Sequence, residues 1–222
     1  MDARMDNYQG WIRETDAGML KSVLEEMLLI SKFAVLGFDE VFQPDRYMGA
    51  WILGESHLAI HVFPNDNKTY VELTSCIKEK SDEFRKIFEL MFGAISIDQE
   101  EESRETDEKT LGSYDSWIKV TDPDVLKNDL GLILEESKFS TSKVIGYMFQ
   151  PEGYTGVWML KEGHLAIHTF PEGDKTYVQL TSESEEQVIE FREMMEANFE
   201  QTYEDPQYDI KHVIETNYAY QI

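Results

Sequence analysis

The strongest constraint on this chain is that it repeats itself. Glu55-Ser56-His57-Leu58-Ala59-Ile60-His61-Val62-Phe63-Pro64 recurs as Glu162-Gly163-His164-Leu165-Ala166-Ile167-His168-Thr169-Phe170-Pro171, an offset of 107 residues. Lys68-Thr69-Tyr70-Val71, Leu73-Thr74-Ser75 and Phe42-Gln43-Pro44 return at the same offset. Trp11-Ile12 and Lys32-Phe33 return at an offset of 106, which places one inserted residue between Phe139 and Phe149. A match of this length at a nearly fixed offset marks a duplicated unit of about one hundred residues, a normal domain size. The reading is copy one over 1–97, an acidic linker over 98–110 and copy two over 111–222. The linker has no apolar residue before Thr110 and carries seven acids, so like charges extend it and nothing in it can be buried.

Within a copy the periodicities are legible. Residues 11–15 read as a short strand. Met19, Leu20, Val23, Leu24, Met27 and Leu28 have helical spacing, with Thr15 or Asp16 placed to cap them. Residues 47–53 and 57–63 read as two strands around a tight turn, and 69–75 as a third. Phe84, Ile87, Phe88 and Met91 define a second helix over 81–92. Each copy is expected to be a β-α-β-β-β-α unit with a largely antiparallel sheet and its helices on one face. The fold class is α+β, with two units packed sheet to sheet as a four-layer α/β/β/α sandwich.

Composition bounds the partners. Against 20 Lys+Arg stand 44 Asp+Glu, a net charge of -24, which repels a phosphate backbone and an anionic membrane face. A cationic ligand is favoured. The first ten residues are polar and do not read as a secretory signal, and no apolar run approaches a membrane span. The expected location is the cytoplasm. One cysteine excludes an internal disulfide framework.

The copies differ where chemistry would sit. Ser56 faces Gly163, Cys76 faces Glu183 and Met48 faces Thr155, while His61 and His168 are kept in both. A serine beside a tight turn, a histidine on the next strand and a cysteine on the strand after form a conceivable nucleophile set. Spacing alone favours core or hairpin histidines and an inert buried thiol over such a set. No carboxylate or cysteine stands at a recognisable ligand spacing from His57 and His61, so no metal site is expected.

The Glu55–Pro64 string, with Cys76 twenty residues after Ser56, resembles the processing segment of S-adenosylmethionine decarboxylases, pyruvoyl enzymes of polyamine (spermidine) synthesis. The small bacterial members are single units of this length that pair as dimers. The eukaryotic members look like a fused pair with one working site. The resemblance implies self-cleavage between Glu55 and Ser56, conversion of Ser56 to a pyruvoyl cofactor, Schiff-base formation with the substrate amine and release of CO2. Copy two cannot make the cofactor, because Gly163 offers neither the nucleophile nor the carbon skeleton. Cys76 matches the family's proton donor. The processing histidine and its partnering hydroxyl come from the opposite half in fused members, which selects His168 and Thr155, with His61 as the local alternative. Phe149, or else Phe42, matches the adenine-stacking ring, and Glu14 matches a catalytic-site glutamate on the first strand. The implied substrate is S-adenosylmethionine, with room for a diamine activator. The implied assembly is a monomeric internal pseudo-dimer or a homodimer of it. The Thr74-Ser75-Cys76 departure from the usual Phe-Thr-Cys pattern leaves arginine or ornithine as alternative substrates, and a non-catalytic nucleoside-binding or regulatory paralogue as a third reading.

Overall fold

A computed structural model describes residues 4–54, 56–93, 111–150 and 153–201. The proposed linker, 98–110, lies outside the described residues.

Copy one runs β1 (Asp6–Ile12), α1 (Ala17–Ile30), β2 (Val35–Gln43), β3 (Arg46–Leu53), β4 (Ser56–Phe63), β5 (Lys68–Ser75) and α2 (Lys78–Phe92). Copy two runs β6 (Gly112–Ile118), α3 (Pro123–Glu136), β7 (Thr141–Met148), β8 (Tyr154–Leu160), β9 (Gly163–Phe170), β10 (Lys175–Ser182) and α4 (Glu185–Asn198). Each copy builds one five-stranded antiparallel sheet, in the orders β1-β5-β4-β3-β2 and β6-β10-β9-β8-β7. The unit is therefore β-α-β-β-β-β-α, one strand more than the periodicity suggested. The missed strand is β2. A bulge between Val35 and Gly37 inserts Leu36 and breaks the two-residue alternation that would have identified it. The first strand also begins earlier than expected: β1 covers Asp6–Ile12, and the polar N-terminal stretch supplies an edge strand.

The helices form as their spacing requires. The Asp16 side chain accepts the Met19 N–H at 2.8 Å and caps α1. Leu20, Leu24, Met27 and Leu28 are buried against the sheet. At about 1.5–3 kcal/mol for each such side chain, this apolar stripe is what holds the helix in place. Both α1 and α3 end in a Schellman turn. Phe33 N bonds Leu28 O at 2.9 Å and Phe139 N bonds Leu134 O at 2.8 Å, with Lys32 and Lys138 at positive φ. The recurring Lys-Phe pair is this turn. Phe84 and Phe88 carry the buried face of α2, whereas Met91 points to solvent.

Strand alternation divides each sheet between two cores. On β4, Leu58, Ile60 and Val62 face the helices with Trp51, Val71 and Leu73. His57, Ala59 and His61 face the other sheet. The two sheets meet through Met48, Ala50, Ile52, Val157, Met159 and Ala166 on one side of the interface. On the other side they meet through histidines, Glu72, Thr74, Gln179 and Thr181. The architecture is a duplicated α+β sandwich with four layers, helices outermost.

No helix among the described residues is long and apolar enough to cross a membrane.

Candidate active site

The contacts between sheets set their relative direction. His57 Nδ1 lies 2.9 Å from His168 Nε2, and His61 Nε2 lies 2.9 Å from His164 Nδ1. The start of β4 therefore stacks on the end of β9, and the end of β4 on the start of β9. Each end of the sandwich combines the hairpin end of one copy with the opposite end of the other.

At the first end, Ser56 opens β4 and pairs across the sheet with Ser75. The Ser56 hydroxyl is fully buried and donates to Ser75 Oγ at 2.7 Å. Ser75 Oγ also accepts the Ile77 N–H at 3.0 Å. Cys76 follows directly, is partly exposed, and so shares this end of the sheet with Ser56. From the other copy come His168 and Thr155, cross-strand partners whose Nδ1 and Oγ1 are 3.0 Å apart. His57, the residue after Ser56, joins them through His168. Ser56 has the helix-facing parity of β4 and His57 the interface-facing parity, so the serine hydroxyl meets Ser75 while the histidine chain runs behind it. Glu55 lies outside the described residues.

The second end holds the matching positions of the other copy: Gly163, Glu183, Met48 and His61. It is closed. Arg46 forms an ion pair with Glu183, and its guanidinium donates to the Lys161 carbonyl at 3.4 Å. Gln43 Nε2 donates to the same carbonyl at 3.3 Å. A Cβ on Gly163 would stand 1.9 Å from the Thr181 carbonyl oxygen, so no side chain fits there without moving backbone. At the first end, the residue matching Arg46 is Gly153.

The aromatic candidates separate. Phe42 pairs with Tyr47 on the β2–β3 hairpin, is 71% exposed and sets its ring tilted against that of Tyr47, with centroids 4.9 Å apart. It belongs to the closed second end. Phe149 lies just past Met148, whose strand partner is Tyr154, and its ring meets Tyr147 at 5.1 Å. The inserted residue sits in this β7–β8 connection, so Phe149 occupies the strand position of Gln43 rather than Phe42. Glu14 is not on the first strand. Its Oε1 accepts the N–H groups of Thr15 and Asp16, and its carbonyl accepts from Thr69 Oγ1, at the end of the sheet away from Ser56. The six residue steps of β1 between the Asp6–Ser75 and Ile12–Thr69 pairs put about 20 Å between these positions.

The interface electrostatics are unusual. Burial drives the protonated forms of His57 and His168 down, and takes His61 to about 3. Burial pushes the Glu72 carboxyl up, but the His164 and His57 imidazoles together outweigh it and hold the carboxyl well below its usual range. The interface thus holds the neutral imidazoles of His57, His61 and His168 near the ionised Glu72 carboxylate. Spacing gave no hint of Ser75, Glu72 or His164 as neighbours of the Ser56 segment. Ser75 could have been found from the strand register; Glu72 and His164 required the packing of the sheets.

The sequence profile described as S-adenosylmethionine decarboxylase matches residues 12–105 and 116–207. Among solved structures, the adenosylmethionine decarboxylase from Aquifex aeolicus is 20% identical, with 41% of this chain and 85% of that chain covered and a TM-score of 0.34. An unknown protein from Galdieria sulphuraria is 7% identical over 90% of this chain and 99% of its own, with a TM-score of 0.20. Among curated proteins, none matches significantly. Two matches of the same profile, one on each copy and together covering most of the residues, place this chain in the S-adenosylmethionine decarboxylase family.

Proposed function

We propose that the protein is a self-processing decarboxylase of S-adenosylmethionine in which Ser56 of copy one is the cofactor precursor and copy two supplies part of the site. The observation that carries this reading is the asymmetry of the two ends. One end carries Ser56, Ser75 and Cys76 on copy one, with Thr155 and His168 of copy two on the interface side of that sheet end, reached through His57. The other offers Gly163 against a backbone wall, with Arg46 and Glu183 closing it.

A pyruvoyl group is made from the chain's own serine, so the fit test is whether a hydroxymethyl group has a place. It has one at Ser56 and none at Gly163. Once formed, the group supplies a carbonyl that acts as an electron sink for decarboxylation.

The residues of the chain have separate tasks. In processing, Ser56 Oγ bonds to the Glu55 carbonyl carbon, the Glu55–Ser56 C–N bond breaks, and the hydroxyl proton passes to the freed nitrogen. Ser75 Oγ holds that hydroxyl in a defined rotamer. Burial keeps His168 neutral, and its two ring nitrogens meet Thr155 Oγ1 and His57 Nδ1, so its role in processing runs through that chain to the residue next to Ser56. Cys76, partly exposed at the same sheet end, is the candidate proton donor to the product carbon. His61 lies with the closed end, which favours His168 for processing. Phe149 is the candidate adenine-stacking ring. Gln43, its register equivalent, reaches the Lys161 carbonyl, and the residue matching Lys161 is Gly54, beside the cleavage position.

The test is the intact mass of the purified chain under denaturing conditions. Expected are fragments 1–55 and 56–222, the larger blocked to N-terminal sequencing, with Ser56→Ala uncleaved and Thr155→Val and His168→Asn slowed. Release of labelled CO2 from carboxyl-labelled S-adenosylmethionine then identifies the substrate, and Phe149→Ala raises KM. A single uncleaved 25.9 kDa chain, stable on long incubation, sinks the proposal and leaves a non-catalytic paralogue. Normal cleavage without release of CO2 from this substrate retains the cofactor and rejects the substrate, with arginine or ornithine tested next.

A further inference from the structure

We propose that His57 Nε2, Glu72 Oε1 and His164 Nε2 form a binding site for one divalent transition-metal ion of the zinc class, linking copy one to copy two between the sheets. The three side chains are fully buried, and their ligand atoms all lie within 4.8 Å of one another. His164 Nε2 is 3.1 Å and His57 Nε2 3.9 Å from Glu72 Oε1. Ligand atoms bound tetrahedrally at zinc distances stand about 3.4 Å apart, between these two values.

Three independent observations make this a built site. His57 Nε2 is buried with no hydrogen-bond partner, since 3.9 Å is too long for one. A nitrogen lone pair aimed at a carboxylate oxygen is unfavourable unless a proton or a cation lies between them. Second, the two oxygens of Glu72 have different duties. Oε2 accepts from Tyr70 Oη, from Thr181 Oγ1 at 2.9 Å and from Gln9 Nε2 at 3.3 Å. Oε1 is turned to the two imidazoles. Third, each ligand imidazole has its other nitrogen held: His57 Nδ1 by His168 Nε2, and His164 Nδ1 by His61 Nε2. His57 Nε2 is thus free to ligate, whereas His164 Nε2–H donates to Glu72 Oε1 at 3.1 Å and a bound ion would displace that proton, leaving Nδ1–H as the donor on each ring. Outer partners of this kind fix tautomer and ring orientation at metal centres.

The duplication also explains why there would be a single ion. The residue matching Glu72 in copy two is Gln179, an amide whose Oε1 accepts from Thr74 at 2.7 Å. Two histidines and a carboxylate, without sulfur, suit zinc or its neighbours rather than magnesium or calcium. Such an ion would tie β4 and β5 to β9. It would also hold the imidazole that touches His168, so it would couple folding of the sandwich to the geometry of the site.

The test uses the full chain without a histidine tag, unfolded in chelator and refolded with or without zinc. Expected are one zinc per chain by elemental analysis, a higher Tm with zinc, and an X-ray absorption shell of nitrogen and oxygen with two imidazoles. Glu72→Gln, which copies Gln179, should weaken binding at least 100-fold. His61→Gln, which touches only the outer nitrogen of His164, should weaken it 10- to 100-fold. No uptake by the refolded parent chain overturns the proposal, as does uptake undiminished in both Glu72→Gln and His57→Asn, or a sulfur ligand at about 2.3 Å, which would place the ion at Cys76. If Glu72→Gln fails to fold, the stoichiometry and absorption shell of the parent chain decide. Cleavage at Ser56 is read separately by mass.

Discussion

Gly163 is where the structure makes its sharpest demand on the sequence. It opens β9 and faces Ser182 of β10. An added Cβ would meet the Thr181 carbonyl oxygen at 1.9 Å, and Thr181 C and Ser182 Cα at 2.8 Å. A carbon needs more than 1 Å of further clearance from that oxygen. The obstacle cannot swing away, because it is backbone. β10 is held on both sides, with Thr181 paired to His164 of β9 and to Ser113 of β6. Opening the gap costs about 1–3 kcal/mol for overpacking, and about 1 kcal/mol more for each ladder hydrogen bond lost. Gly163→Ala should therefore destabilise by about 3 kcal/mol or more. Gly37→Ala is the control: its Cβ would find nothing nearer than Ile52 Cβ at 3.8 Å. In urea unfolding followed by far-UV circular dichroism, a slope of about 2–3 kcal/mol/M turns this into a midpoint lowered by about 1 M or more for Gly163→Ala. The Gly37→Ala midpoint should stay within about 0.5 M of the parent. A Gly163→Ala variant as stable as the control would refute the claim that a side chain is sterically excluded there, and with it the reason given for a single processing end. Gly163→Ser should likewise show no cleavage after Glu162.

Two other perturbations follow from the same geometry. His61 titrates near 6.5 when unfolded and about 3 when folded, so below pH 6.5 the unfolded chain binds a proton that the native chain does not. Stability is full above pH 6.5 and falls with acidification, by about 2 kcal/mol between pH 7 and pH 5 for this residue alone. Burial moves His57 and His168 in the same direction, so the slope of stability against pH should be positive over this range and shallower in His61→Asn; a flat profile would contradict neutral buried imidazoles. Lys32 holds φ 63 at the end of α1, where glycine is free of the Cβ penalty, so Lys32→Gly should raise stability by about 0.5–1 kcal/mol, read as a higher thermal midpoint, and a lower midpoint would refute the cap assignment.

Local features were legible in the sequence because they depend on neighbours along the chain. The duplication, the helical stripe from Leu20 to Leu28, a cap at Thr15 or Asp16 and the 47–53 and 57–63 hairpin arms each leave a short-range pattern. So does the loss of serine at Gly163. The strand β2 escaped because one bulged residue, Leu36, shifts its alternation. Glu14 and Phe42 were drawn toward the site by resemblance, but β1 and the β2–β3 hairpin carry them to the other end of the sheet. Phe149 kept its motif partner Phe42 in sequence and lost it in register, because the inserted residue falls in the β7–β8 connection.

The chain thus wrote its own repeat, its own sheets and the asymmetry between Ser56 and Gly163 into residues a few positions apart. How the two sheets would meet was decided only by packing. Burying the interface faces of both sheets stacks the start of β4 on the end of β9, because Met48, Ala50 and Ile52 must cover Val157, Met159 and Ala166. That single choice brings His57 to His168 and Glu72 to His164, from residues 111 and 92 positions apart. No periodicity carries such a distance. It is set when two apolar surfaces exclude water and the polar groups beside them find partners in the opposite copy.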